Sequence, residues 1–277
     1  VEEFIQQARH IEVQIIGDKS GNIINLGERE CSVQRRYQKI VEIAPAPHLP
    51  ERLRDDIIEA AQRLAQSVNY SNLGTFEFLV NTNASDGGDP FSFIETNARL
   101  QVEHTVTEAV TGVDIVQTQI ELASGTLLAD LGLDDSNIGV PRGFAIQARI
   151  NMETLGADGT VRPAGGTLRS YEAPNGPGVR TDGFGYAGYT TSPMFDSLLA
   201  KVITHSPSNK FETAVQRSLR ALSEFRIEGV ATNIPFLMNV LTNSDFIDGS
   251  VHTRWVDEKI ADLAMTDTDS QQKRWIE

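Results

Sequence analysis

With 277 residues, 40% hydrophobic and 22% charged, the chain exceeds a typical single domain and is neither disordered nor fibrous. A formal net charge of -14, from 24 Lys and Arg against 38 Asp and Glu, excludes broad attraction to nucleic acid or an anionic membrane, so any anionic ligand must be held by locally placed cations. The single cysteine, Cys31, excludes an intrachain disulfide and a CxxC metal knuckle and fits a reducing compartment, and no apolar run reaches the length of a membrane span. The sequence enters structured-looking residues directly at Val1, with no Met and no polar leader, and so reads as a fragment of a longer polypeptide.

In chain order, residues 10–16 (HIEVQII) predict a strand with Ile11, Val13 and Ile15 on one face and His10, Glu12 and Gln14 on the other. DKSGN is a turn and INLGERECSVQ a returning strand, which together make a hairpin. A cationic cluster of Arg35, Arg36 and Lys39 precedes IVEIAPAPHLP, whose prolines end regular structure. A helix follows over 51–69, with Leu53, Ile57, Ala61 and Leu64 at near-helical spacing and carboxylates in its first turns, where they favour the helix dipole. SNLGTFEFLV is a strand carrying Glu77 among aromatics, and NTNASDGGDP is an exposed loop that leads into a second hairpin.

Residues 93–104, FIETNARLQVEH, complete that hairpin. Read as extended chain, they put Glu95, Asn97, Arg99, Gln101 and Glu103 on one side and back them with Ile94, Ala98, Leu100 and Val102. A half-buried strand usually turns Thr, Ser and Lys to water; two carboxylates, two carboxamides and a guanidinium in one row predict a face turned to a site.

A helix is predicted over 107–124, with Val110, Val113, Val116 and Ile120 on one stripe. The acidic, Gly-bearing connector 125–143 reads as a domain boundary. Beyond it GFAIQARIN, GGTLRSYEAP, GVRTDGF and SLLAKVITH are short strands between Gly and Pro turns, which implies an antiparallel sheet. Helices over 211–225 and 233–241 close the unit, and the polar tail DTDSQQKRWIE frays.

The candidate chemistry gathers on the second hairpin. Glu77 and Glu95 converge from its two strands with Asn97 beside them, a hard-ligand set suited to Mg²⁺ or Mn²⁺. Glu77 by itself reads as an ordinary salt-bridged carboxylate; the row from Glu95 to Glu103 shifts the reading toward a site. Arg99 offers a planar fork for an oxyanion, Lys39 a point charge, and Glu103 a candidate base. His10 and His104 are individually weak, being more often hydrogen-bonded structural residues than ligands. There is no zinc spacing, no GxSxG and no Walker spacing, and the glycine pairs beyond residue 143 form turns.

RHIEVQI, GERECSVQRRYQKIVE, APAP, GTFEFL, FIETNARLQVEHTVTEAVTGVD, ARIN at 148–151 and FDSLLAKVI at 195–203 together resemble the biotin carboxylase component of biotin-dependent carboxylases, from near Glu2 to about Val256. The resemblance implies an α+β, ATP-grasp carboxy-terminal lobe over 1–125, lacking the amino-terminal domain and the lid. A biotin carboxylase carboxy-terminal sheet-and-helix domain would follow over 126–265, then a tail over 266–277.

It also implies the reaction. Bicarbonate attacks MgATP to give carboxyphosphate, and the CO₂ released is captured by biotin carried on a separate carrier domain. By motif, Glu77, Glu95 and Asn97 match the metal site, and Lys39, Arg99, Gln101 and the backbone of Val102 match the bicarbonate pocket. Glu103 matches the base and Arg149 the arginine that steadies the biotin enolate, with Arg99 also counted in the catalytic set. Glu2, Ile5, His10, Gln34 and Tyr37 fall near the nucleotide, with Tyr37 standing where many members have His, so that it donates to ribose but carries no charge near neutral pH. The implied partners are a biotin carboxyl carrier domain, a carboxyltransferase domain and a second copy of the chain, with no nucleic acid and no membrane; the implied location is cytoplasmic, or the mitochondrial matrix in a eukaryote. GADGTVRPAGGTL and DGFGYAGY lean toward an acyl-CoA carboxylase over a pyruvate carboxylase. Another ATP-grasp ligase, such as a carbamoyl phosphate synthetase, and a non-catalytic dimerisation or scaffold module are the competing readings. Without the lid, the fragment is expected to be inactive when tested alone.

Overall fold

The computed structural model describes residues 4–81, 90–134, 140–192, 194 and 196–264. Its frame is an eight-stranded antiparallel sheet. Five strands come from the first half of the chain: β1 (Ala8–Gly17), β2 (Ile23–Arg35), β3 (Gln38–Ala44), β4 (Asn72–Asn81) and β5 (Phe91–Asn97). Three more, β6 (Phe144–Asn151), β10 (Val179–Gly183) and β11 (Leu198–Ser206), extend it in the order β10-β11-β6-β3-β2-β1-β4-β5. The strands beyond residue 143 therefore continue the first sheet, through Val41 opposite Ala148 and Ile43 opposite Ile146. Short pairs β7 (Glu153–Leu155) with β8 (Val161–Pro163), and β9 (Ser170–Glu172) with β12 (Arg226–Glu228), flank it.

The alternation in β1 sets the layers. Ile11, Val13 and Ile15 pack with Phe76, Phe78 and Val80 of β4 under helix α1 (Glu51–Ser67), which buries Ile57, Ala60, Ala61 and Ala65 against them. Full burial of Ile57 or Phe78 contributes about 1.5–3 kcal/mol each. The opposite face of β1 is also sealed: Glu12 and Gln14 are buried, so the polar side of this strand is an internal layer. At the other end of the sheet, Ile146, Ile150 and Val202 meet Ala214, Val215 and Leu222 of α4 (Phe211–Glu224). Beside α4 lie α5 (Ile234–Thr242), α6 (Ser244–Ile247) and α7 (Trp255–Leu263); α6 and α7 carry too few periodic residues to stand out in the sequence.

The prolines after IVEI do end regular structure, at the close of β3, whose IVEI core is buried between β2 and β6. Two expectations are corrected. The single helix expected over 107–124 is two, α2 (His104–Thr111) and α3 (Ile115–Ser124). Gly112 at φ 77 ends the first in a left-handed cap, and Asp114 starts the second by accepting from Gln117 N at 2.8 Å. The break rotates the stripe, so Val116 and Ile120 are exposed while Ile115, Thr118 and Leu122 are buried.

The second correction concerns residues 93–104. The strand stops at Asn97, residues 98–103 run as irregular chain, and His104 opens α2. Ile94 and Ala98 are exposed and do not form an apolar backing. Instead, the register shifts between Glu77 and Phe78, so that Glu77 faces Glu95 while Phe78 faces Phe93 and Ile94 is the extra residue. This bulge sends Phe93 to the aromatic side, against Phe76 and Phe78, and Glu95 to the side of Glu77.

Candidate active site

The bulge completes a charged row across four strands. Glu95 lies opposite Glu77, Glu77 opposite Glu12, and Glu12 opposite Arg29. Three carboxylates abreast repel one another, so the row demands cations. Arg29, fully buried, donates from Nε to Glu12 Oε1 at 2.5 Å and from its other nitrogens to Gln14, Thr107 and Thr75. Lys39, carried in by the β2–β3 hairpin, reaches Glu12 Oε2 at 2.5 Å, Glu103 Oε1 at 2.6 Å and Glu77 Oε1 at 3.4 Å.

Burial pushes the Glu12 carboxyl up, but Arg29 and Lys39 outweigh it and hold the group at about 2. Glu77 also sits at about 2: burial opposes its charge, while the His10 hydrogen bond and Lys39 favour it. Burial opposes the charge on Lys39 in turn, and the surrounding carboxylates raise its pKa above the usual ammonium range. The Cys31 thiol beneath is pushed well up, first by burial, and stays neutral.

Glu103 is the hub of the second half of the site. It sits just ahead of α2, with Oε1 on Lys39 and Oε2 on Arg149 Nη2 at 3.2 Å. Arg149, on β6, is aimed by Glu42 of β3: its Nε donates to Glu42 Oε1 at 2.5 Å, and Gln147 Nε2 holds the other oxygen at 2.9 Å. Burial pushes the Glu42 carboxyl up and opposes the charge on Arg149, whose pKa the carboxylates of Glu42 and Glu103 raise.

Lys39, Glu77, Glu103 and Arg149 line a cavity of ≈ 350 Å³ that also takes in His10, Tyr37, Glu95, Asn97, Arg99, Gln101 and Val102. At one end Asn97 Nδ2 donates to Glu77 Oε1 and to Glu95 Oε1, both at 2.9 Å, and Gln101 Nε2 adds a donor to Glu77 Oε1 at 2.8 Å. An amide N–H group wedged between two carboxylates occupies the place of a cation, so Glu77 and Glu95, with the Asn97 amide beside them, fit a hard divalent ion. His10, Glu12 and Glu77 also bring ligand atoms within 4.8 Å of one another, but both Glu12 oxygens are engaged by Arg29 and Lys39. Gln101 Oε1 is buried with no partner among the described residues, an acceptor suited to a ligand O–H.

Of the other candidates, Arg99, His10 and Tyr37 share this lining and Gln34 and Ile5 do not. Arg99 is exposed, donating to Leu100 O at 3.2 Å and to Asn97 Oδ1 at 3.4 Å, so it lines the cavity with no ion pair among the described residues. His10 Nε2 meets Glu77 Oε2 at 2.8 Å, and Gln34 Nε2 meets His10 Nδ1 at 3.3 Å from behind. Tyr37 is 94% exposed at the hairpin tip, Ile5 is half-buried away from the cavity lining, and Glu2 lies outside the described residues. Sequence reasoning missed Arg29, Glu42, Gln147 and Lys201 and gave Glu12 no role. Glu42 in IVEI, Gln147 in FAIQ and Lys201 in LLAKVI sit inside apolar runs, where burial requires a partner, whereas Arg29 stands between Glu28 and Glu30.

Two family models match in tandem: "Carbamoyl-phosphate synthase L chain, ATP binding domain" over residues 1–131, and "Biotin carboxylase C-terminal domain" over 147–258. The chain belongs to the biotin carboxylase family. It is 50% identical over 259 residues to pyruvate carboxylase 1 of Caenorhabditis elegans, covering 93% of this chain and 21% of that protein. Among solved structures, the biotin carboxylase domain of a single-chain bacterial carboxylase matches with TM-score 0.84 and 46% identity, over 95% of this chain and 58% of that one. The biotin carboxylase domain of a thermophilic 2-oxoglutarate carboxylase bound to bicarbonate matches with TM-score 0.86 and 40% identity, over 96% and 57%. The chain thus spans about a fifth of the length of the curated relatives it matches. Among the described residues, no helix is long and apolar enough to cross a membrane.

Proposed function

We propose that this chain carries the bicarbonate-activating and biotin-carboxylating half of a biotin carboxylase. The observation that carries the reading is Glu103, held between Lys39 and Arg149 at the wall of a cavity whose far end is the Glu77–Glu95 pair. Bicarbonate sits among Lys39, Arg99, Gln101 and the Val102 backbone, its O–H toward Gln101 Oε1 or Glu103. Glu103 takes the proton, and the freed oxygen attacks the γ-phosphorus of ATP as the bond to ADP breaks. Carboxyphosphate then divides into CO₂ and phosphate, the phosphate accepts the ureido proton of biotin, and the freed ureido nitrogen forms its bond to the CO₂ carbon. Arg149 holds the negative charge that develops on the ureido oxygen, while Lys39 and Arg99 neutralise the oxyanions. A Mg²⁺ or Mn²⁺ ion held by Glu77 and Glu95 with Asn97 would neutralise phosphate charge. His10, Gln34 and Tyr37 lie on the nucleotide side with Ile5 and Glu2.

The same reading divides the chain into 1–125, 126–265 and a tail over 266–277. It gives the reaction a biotin carboxyl carrier domain, a carboxyltransferase domain and a homodimeric partner, in the cytoplasm or a mitochondrial matrix. The final acceptor is chosen by the carboxyltransferase. The 156–168 and 182–189 segments favour an acyl-CoA, whereas the relatives named above include a pyruvate and a 2-oxoglutarate carboxylase; assaying the full-length enzyme with each acceptor decides between them. The 277 residues assayed alone are expected to release no phosphate from ATP in response to bicarbonate.

In the full-length carboxylase, Glu103→Gln should abolish carboxylation of free biotin and leave MgATP binding nearly intact. Wild-type carboxylation by that variant removes Glu103 from the base role. A carbamoyl phosphate synthetase-like ligase, favoured only by the model over 1–131, predicts ammonia-dependent carbamoyl phosphate formation with no response to biotin.

A further inference from the structure

Residues 98–103 carry four cavity-lining groups beyond the strand's end, and no ladder hydrogen bonds hold them. Irregular backbone at a site needs other anchors. One is local: His104 Nδ1 meets the Gln101 carbonyl at 2.7 Å. Gln101 and Glu103 are also held through their side chains, and a backbone anchor crosses from β11, where the Lys201 ammonium donates to the Val102 carbonyl at 2.8 Å. Lys201 is the only charged side chain in the strand's LLAKVI run, is 9% exposed, and lies opposite Arg149 in the β11–β6 register.

A buried lysine holds one position only if its remaining donors are engaged. Asp182 of β10, opposite Lys201 in register, places Oδ2 at 3.5 Å from the ammonium. Arg180 grips both Asp182 oxygens at 2.8 and 2.9 Å and reaches Glu108 of α2 at 2.7 Å. Glu108 Oε1 in turn accepts from Ile115 N at 2.9 Å, at the start of α3. A continuous charged chain, Glu108–Arg180–Asp182–Lys201, therefore runs from the helix that follows Glu103 back to the carbonyl that precedes it.

We propose that Lys201 is a positioning residue for the bicarbonate site: by clamping the Val102 carbonyl from the carboxy-terminal strands, it fixes the Val102–Glu103 peptide, which restrains Val102 beside the bicarbonate pocket and aims the Glu103 carboxylate. The inference rests on the biotin carboxylase reading of the site. Lys201 touches no reacting atom in that reading; it acts through the backbone. Burial pushes its pKa down and Asp182 opposes this, in keeping with an ammonium held by its partners.

The test uses Lys201→Met, which keeps the stem's length, with Lys201→Arg as the conservative variant and Asp182→Asn as a milder change that loosens the ammonium without deleting it. In the full-length carboxylase, Lys201→Met should lower kcat/KM for bicarbonate by about tenfold or more with KM for MgATP unchanged, Lys201→Arg should recover part of the loss, and Asp182→Asn should shift the same parameter less. In the 277-residue chain, hydrogen exchange of peptides covering 98–106 should quicken in Lys201→Met while α1 and α4 keep their protection. Unchanged bicarbonate kinetics and unchanged exchange over 98–106 overturn the proposal. So does an equal loss toward bicarbonate and MgATP with protection falling everywhere, the mark of a purely structural lysine. If Glu103→Gln, assayed alongside, retains full biotin carboxylation, it is the functional reading that fails, whereas an inactive Glu103→Gln with a fully active Lys201→Met rejects only the positioning role.

Discussion

Arg29→Met tests the electrostatic frame on which the cavity stands. Arg29 is fully buried and donates to Glu12, Gln14, Thr107 and Thr75, so the substitution strips a hydrogen-bond partner from four groups at once. The Glu12 carboxylate is left facing Glu77 with Lys39 as its remaining cation. Removing one member of a buried pair costs about 3–5 kcal/mol, because the abandoned charge stays desolvated. Against a total stability of about 5–15 kcal/mol, that loss shows as a large drop in the urea midpoint at pH 7, followed by far-ultraviolet circular dichroism. Glu12→Gln and the double variant complete a cycle, and the double variant should cost less than the two single changes together.

Acid supplies a second readout. Glu12 falls from the ordinary 4.5 to about 2 on folding, a difference of about 3 kcal/mol at 1.36 kcal/mol per unit. Because the folded value is the lower one, this stability is present above pH 4.5 and is lost as pH falls through about 2; without Arg29 the loss should begin at higher pH. A cost under about 1 kcal/mol for Arg29→Met, or strict additivity in the cycle, would refute the argument that the carboxylate row depends on Arg29.

Three further outcomes are expected. Glu42→Gln frees Arg149 from the carboxylate that aims it, so biotin carboxylation by the full-length enzyme should fall about tenfold or more with KM for MgATP unchanged; equal kinetics would remove Glu42 from that role. Glu95→Gln should weaken Mn²⁺ binding measured by titration in the presence of nucleotide, and an unchanged affinity would leave the Glu77–Asn97–Glu95 arrangement structural. Asp114→Ala deletes the cap of α3 and should cost about 1 kcal/mol in urea unfolding.

The sequence makes one half of the site legible and hides the other, for a physical reason. Glu77 and Glu95 converge as alternation along two strands of a hairpin predicts, because hairpin partners are near in sequence. The same alternation misplaces Ile94, since a single bulge residue exchanges the faces and nothing in FIETNA marks it. Glu42 and Lys201 stay hidden because their partners lie far along the chain: Glu42 meets Arg149 across 107 residues, and Lys201 meets Val102 across 99; Arg29 meets Glu12 across the first hairpin, and only the burial of that face gives the pair its weight. Glu42 and Lys201 still leave a local trace, a single charge inside the IVEI and LLAKVI runs. The break between α2 and α3 was readable in Gly112 followed by Asp114, a helix stop and an N-cap that the valine spacing outweighed in the reading.

Oxygen transfer tests the central claim most directly. With ¹⁸O-labelled bicarbonate and the full-length carboxylase, attack of a bicarbonate oxygen on the γ-phosphorus predicts one labelled oxygen in each phosphate released during biotin carboxylation, and no such phosphate from Glu103→Gln. Phosphate released without label, while biotin is carboxylated, would contradict the assignment of this site to bicarbonate activation.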